Sequence, residues 1–301
     1  MHQHLPYDRM AQLFADVVGI EVSVGARAQM VAEAGGALGL FPATVRDLLQ
    51  DAPAVHFDET GARVGGRLHW VHVASNALYT LIACHARRGT LAMDDMGVIE
   101  AMSGIAVHDG WRSYRTYDVV HARCNAHHIR ELSGVGVGWT QGWANEMIDL
   151  LVEAKVAVDA ARAAGSDRLD AATLHSIRVR YGLLIAKGWA ANPAPEVAKR
   201  TGVNKTAANL LRRLDTQRAD VLRFASDFDA PFDNKQAERD IRMVKLQQKI
   251  SGTWRTLAGA RNYCTIRGYI STMNKHNHVL EGLRHLFEGD VWLPGAPTLT
   301  T

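Results

Sequence analysis

Residues 54–73, AVHFDETGARVGGRLHWVHV, decide how this chain is read. Apolar and polar residues alternate on both sides of Gly65-Gly66. Alternation broken by paired glycines is the mark of two strands joined by a tight hairpin. The first arm carries two adjacent carboxylates, Asp58 and Glu59, in mid-strand. Successive side chains on a strand point to opposite faces, so the two acids cannot serve one site. Asp58 is the candidate ligand. Thr60 returns to its face and is placed to hydrogen-bond its carboxylate or a water bound there. Glu59, on the other face, is expected to be structural or solvated.

Working outward, a third alternating run, LYTLIACHA (78–86), follows a turn at Ser75-Asn76 and completes an antiparallel meander. A helix is expected over MDDMGVIEAMSG (93–104), with Met96, Ile99 and Met102 on one face. GIAVHDG (104–110) reads as a short buried strand ending at Asp109, and YDVVHARCNAHH (117–128) as a fifth strand running into a helix. The order β-β-β-α-β-α-β-α predicts an α/β fold around a mixed five-stranded sheet. In that order the first and fourth strands can pair in parallel, bringing Asp58 and Asp109 within metal-sharing distance. A helix crossing that edge can deliver Glu238, from DNKQAERDIRMVK (233–245).

The remaining segments frame this core. Residues 1–50 read as three short helices, with Gly19 ending the first, Ser23 capping the second and Pro42 in the first turn of the third. They are either a small DNA-binding bundle or plain packing helices. The first part of the core spans 51–138, an all-helical insertion 139–230, the second part of the core 231–290, and a tail 291–301. Breaks within the insertion are expected at Gly165-Ser166 and at NPAP (192–195).

Composition narrows the function classes. With 301 residues, 47% hydrophobic and 22% charged, the chain can bury a sizeable core. No run of ~18 apolar residues suggests a membrane span, and the start, MHQHLPYDRM, lacks a signal-peptide pattern. Cys84, Cys124 and Cys264 are sparse and far apart, as in a reducing cytoplasm. Residues 231–275 hold nine Lys/Arg against three Asp/Glu, a local net charge of +6 that suits an anionic partner.

Three carboxylates at strand ends and a helix start fit a hard cation. Mg²⁺ prefers oxygen ligands, and two such ions ~4 Å apart can bind both the attacking and the leaving oxygen of a phosphodiester displacement. Arg239, Arg242, Lys245 and Lys249 recur every three or four residues beside Glu238 and form one basic face. That face is either solvated or bound to DNA phosphates. Trp254-Arg255 is set to stack on unpaired bases or to pack in the core. Trp111, Arg112 and Tyr114 follow Asp109 and either line a substrate groove or, for Tyr114, pack. Cys124, His127 and His128 offer half a zinc site, active-site support from His127, or structure.

Four motifs together, HFDET, AVHDGWRSY, RCNAHHIREL and FDNKQAERDIRMVKLQQKISGTWRT, resemble the insertion sequence 66 (transposase C type) family of bacterial transposases. The likeness covers roughly residues 5–290, and the last motif is the most specific. The resemblance implies a ribonuclease H-like core with an aspartate-aspartate-glutamate triad, mapped to Asp58, Asp109 and Glu238. It implies two Mg²⁺ or Mn²⁺ ions per site, and double-stranded DNA as partner, both transposon ends and target. It further implies a homodimer or higher multimer on DNA, accessory proteins of the same element, and a cytoplasmic, nucleoid-associated location. Two alternatives stay open: a truncated or domesticated DNA-binding regulator without activity, and a simple metal-dependent nuclease.

Overall fold

The computed structural model describes residues 4–139, 141–193 and 202–295. The break expected at 192–195 and the tail expected at 291–301 lie partly outside these residues. Five strands form a mixed sheet in the order β3-β2-β1-β4-β5: β1 (Ala54–Val64), β2 (Arg67–Ser75), β3 (Thr80–His85), β4 (Ile105–His108) and β5 (Val120–Arg123). The chain divides into two compact units. One takes the residues up to Gly104, then Arg112–Val119 and the chain from Lys235 onward; the other takes Ile105–Trp111 and Val120–Asn234.

In the first unit, β1, β2 and β3 form the expected antiparallel meander, with Glu59 opposite His72 and Val64 opposite Arg67. Gly65 and Gly66 have φ of +55° and +77°. Two consecutive left-handed residues match the twist of a two-residue hairpin, which explains the double glycine. Burial along β1 changes phase at the two acids. Val55 and Phe57 are buried on one face before them, and Thr60, Ala62 and Val64 on the other face after them. The strand is therefore covered on both sides, at different ends.

The second cover is α11 (Lys235–Ser251), packed on β1 and β2, with α12 (Leu257–Lys275) packed on β3. Ala237, Ile241 and Val244 of α11 and Tyr263 and Cys264 of α12 share a core with Ala62, Val71, Val73 and Ile82. The same two helices also hold an ion pair that the sequence did not announce. Asp240 and Lys275 are 3.0 Å apart, with side chains 7% and 10% exposed. Lys275 also donates to the carbonyls of Asn76 and Tyr79, and Ser271 donates to Asp240. The β2–β3 turn is thereby clamped to both helices. Burial opposes the charge on Asp240, but Lys275 and these hydrogen bonds outweigh it and hold the carboxyl below its ordinary range.

Three helices precede the sheet: α1 (Tyr7–Val18), α2 (Val24–Ala37), capped by Ser23, and α3 (Phe41–Gln50). The apolar stripe of α1 forms on schedule, yet α1 buries no residue, and Leu13 and Val17 are 49% and 73% exposed. The helix expected over 93–104 is a correction. It is α4 (Thr90–Met96), ended by Gly97, whose N–H returns to the carbonyl of Met93. Glycine in this left-handed position stops the helix, and Ile99 and Met102 reach the core from the turns that follow. In chain order, the helix expected between the fourth and fifth strands is a short 3-10 helix (Arg112–Thr116), and a further helix, α13 (Val279–Glu288), was not foreseen.

In the second unit, β4 and β5 pair in parallel, Ile105 opposite Val120. The rest is helical: α5 (Asn125–Trp139), α6 (Gly142–Ala163), α7 (Ala171–Ala191), α8 (Gly202–Thr216), α9 (Arg218–Val221) and α10 (Arg223–Ser226). Trp143, Met147, Leu150, Tyr181, Ile185 and Leu211 are buried within it, and the Tyr181 hydroxyl donates to the Leu214 carbonyl at 2.8 Å. Among the described residues no helix is long and apolar enough to cross a membrane.

Candidate active site

The two acids of β1 have separate surroundings. Asp58 is half-buried, and its Oδ1 accepts the Glu59 N–H at 2.9 Å. Thr60, on the same face, is buried. The Glu59 side chain is only 3% exposed. Its Oε1 accepts Arg88 Nε and Nη2 at 3.0 and 2.7 Å, and its Oε2 accepts the Tyr114 hydroxyl at 2.5 Å. Arg88 in turn lies over the Trp70 ring, 4.7 Å from its centroid, and Tyr114 packs on Phe57. Of the two roles open to Glu59, the structural one is observed; a charged, doubly engaged carboxylate is a strong local tie. Tyr114 likewise packs.

Asp109 follows β4 directly and is half-buried. Its Oδ1 accepts the Trp111 N–H at 2.8 Å, which turns the chain back at once. Gly110 permits that turn for two reasons. Its φ is +91°, and a Cβ there would lie 1.2 Å from Nη1 of Arg123. The Arg123 guanidinium thus occupies the space beneath the Gly110 backbone, with the residue 2% exposed. The Gly110 N–H also donates to His108 Nδ1. His108 therefore carries its proton on Nε2 and gives it to His121 Nδ1 at 3.0 Å. Two imidazoles, an arginine and one glycine fix the end of the strand that bears Asp109.

At the end of β5, the Cys124-Asn125 corner pins another segment. Cys124 Sγ accepts the Asn234 N–H at 3.2 Å, and the Asn125 N–H donates to the Phe232 carbonyl at 3.1 Å. Asn125 Nδ2 donates to the Val221 carbonyl at 3.0 Å. Residues 232–234 are held just before α11 begins. These asparagines were missed in the sequence; the available signal was an Asn at each helix start, in RCNAHH and FDNKQ. His127 lies in the first turn of α5, its N–H donating to the Cys124 carbonyl just before the helix, and is half-buried. Burial, reinforced by Arg123, Arg213 and His127, pulls the His128 imidazole down to about 3, so it is neutral and structural.

Glu238 lies half-buried in the first turn of α11, where the helix dipole favours a negative charge. Arg239, Arg242, Lys245 and Lys249 are all exposed. Lys245 reaches the Gly61 carbonyl of β1 at 3.2 Å. Trp254 rests against Tyr263, centroids 5.0 Å apart, and its backbone bonds to Arg63 and Gly65, while Arg255 and Arg112 are exposed.

No curated protein matches the chain. The sequence does match a described protein family, and the match runs over residues 1–262, most of the 301-residue chain. It includes Asp58, Asp109, Glu238 and the whole basic face of α11, and the chain belongs to the transposase IS66 family.

Proposed function

We propose that the chain is a DNA transposase with a ribonuclease H-like core, in which Asp58, Asp109 and Glu238 form the catalytic triad. The observation that carries this reading is the anchoring of the acids. Asp58 and Asp109 each have a carboxylate oxygen fixed by a nearby backbone N–H, and Glu238 opens a helix whose preceding residues are pinned at Asn234. Acids held this way, half-buried and not driven into the core, suit ligation rather than packing. The strand order β3-β2-β1-β4-β5 supports the core assignment. The core then spans 51–138 and 231–290, interrupted by the helical insertion 139–230, with 1–50 as a leading helical segment and 291–301 as a tail.

The donor set is all carboxylate oxygen, which suits Mg²⁺ or Mn²⁺, two ions per site. Bound there, they would supply charge neutralisation and nucleophile activation for phosphodiester cleavage and 3′-hydroxyl joining. The chain's own residues do the positioning. Arg239, Arg242, Lys245 and Lys249 hold the DNA backbone, a salt-sensitive contribution indifferent to sequence. Arg112 and Arg255 extend the contact, and Trp254 backs it. Thr60 orients Asp58, and His127 stands by the β5 corner as active-site support. Transposon ends and target are both duplex DNA. The working form is a dimer or larger multimer, joined by accessory proteins of the same element, in the cytoplasm at the nucleoid.

Strand transfer on end-sequence oligonucleotides tests this. Metal-dependent joining that disappears in Asp58→Asn, Asp109→Asn and Glu238→Gln is the expected result. Cleavage without joining indicates a nuclease. DNA binding with neither reaction, under Mg²⁺ and Mn²⁺, indicates a regulator and refutes the enzyme.

A further inference from the structure

The second unit contains a cleft of about 260 Å³ between α6 and residues 224–233, lined by Lys155, Asp159, Phe224, Phe232 and Asp233. Ligand pockets run from ~300 Å³ upward, so this one admits a single heterocycle with part of its sugar, not a base pair. Phe232 is half-buried in the wall, and a T-shaped contact with buried Phe224, centroids 4.8 Å apart, holds its ring in one orientation. Lys155 stands 6.0 Å from the Phe232 centroid and is paired with Asp159, both side chains reaching solvent. Arg162, at the margin, is committed to Phe228: it donates to the carbonyl and lies 5.2 Å from the ring centroid.

The charges in the cleft balance, Lys155 and Arg162 against Asp159 and Asp233. A phosphate site needs a surplus of positive charge. This cleft offers instead an aromatic ring, an ammonium donor and carboxylate acceptors. That is the complement of a neutral, flat heterocycle carrying amino groups and ring acceptors. Carboxylates accept from exocyclic amines such as that of cytosine, and aromatic rings stack on bases of any identity. Phe232 also belongs to the short segment that leads into the Glu238 helix, with its carbonyl fixed by Asn125. Two residues of chain separate it from the start of α11.

We propose that this cleft takes an unpaired nucleobase bearing an exocyclic amino group, from a DNA strand opened at the transposon end or target. The proposal rests on the DNA-handling reading above and deepens it. The assay is equilibrium binding of full-length Asp58→Asn protein to a duplex with a short single-stranded tail. The tail is deoxycytidine, thymidine or abasic, read by fluorescence anisotropy at fixed salt. The cytosine tail should bind about 5- to 100-fold more tightly than the abasic tail, with thymine between them. Phe232→Leu should erase the difference and leave abasic binding unchanged. Lys155→Ala and Asp233→Asn, two further changes in the cleft lining, should narrow the cytosine preference and guard against a folding defect in Phe232→Leu. Equal binding of base and abasic tails, or discrimination that survives all three variants, overturns the proposal alone. Absence of any binding to DNA overturns the transposase reading with it.

Discussion

Replacing Glu59 should destabilise the fold, whereas replacing its neighbour Asp58 should silence the protein and leave its stability nearly unchanged. In Glu59→Ala the Tyr114 hydroxyl loses its carboxylate in a place where the residue is 1% exposed. An unsatisfied buried donor costs roughly 1–3 kcal/mol. Arg88 loses its pair with Glu59 too, but its side chain is 37% exposed, so water screens the charge and the loss adds less than ~1 kcal/mol. The deleted atoms leave space beside the small void lined by Phe57, His72, Met93 and Tyr114, for about 1 kcal/mol more. The sum is about 3 kcal/mol. With a urea slope of ~3 kcal/mol/M, the unfolding midpoint should fall by about 1 M at constant slope. Urea titrations followed by circular dichroism and tryptophan fluorescence read it, and a cycle of Glu59→Gln with Tyr114→Phe isolates the pair. A Glu59→Ala midpoint within about 0.2 M of the parent would falsify the reasoning. So would an equal destabilisation by the isosteric Asp58→Asn, for which less than ~1 kcal/mol is expected.

Gly110→Ala forces an L side chain to a φ of +91° and drives its Cβ into the Arg123 guanidinium; a loss above about 3 kcal/mol is expected, and an unchanged melting temperature would refute the close approach. Burial pulls His72 down to about 4 and His128 to about 3 from 6.5. Below pH 6.5 the unfolded chain therefore binds protons that the folded chain does not, and stability falls as pH drops from 6.5 towards 3. The loss is on the order of 2 kcal/mol per histidine at pH 5, and a urea midpoint constant from pH 7 to pH 5 would contradict it. Arg242→Ala with Lys249→Ala should lower the slope of log affinity for DNA against log salt by about 2; an unaltered slope removes the basic face from the interface.

What the sequence made legible was local. The β1–β2 hairpin needs only alternation and two glycines, and the basic face of α11 needs only its spacing of three and four. What stayed hidden depended on partners far along the chain. Glu59 meets Arg88 and Tyr114, 29 and 55 positions away, so nothing near it announced that the acid would be buried. Asp240 meets Lys275 at a separation of 35, and each alone reads as a surface charge on an amphipathic helix. Met96, Ile99 and Met102 have helical spacing and are buried, yet Gly97 breaks the helix between them, because a left-handed cap outranks periodicity. The stripe on α1 gives the converse case: periodicity called the helix, but could not say whether anything covers it.

The hairpin turn carries a further obligation. Side chains on β1 have a strict period of two, so pairing displaced by one residue would exchange the faces of Asp58 and Glu59. The acid read as catalytic would then point toward Tyr114 and Arg88, and the structural acid would take its place outside. Since the two differ by one methylene, composition alone offers little protection against that error. The two left-handed glycines, closed by the Val64–Arg67 pair, admit one register, and so serve as the proofreading step of folding. Lengthening that turn by a single residue tests fidelity, not stability: the chain should still collapse, but into a mixture in which the active fraction counts the molecules that paired correctly.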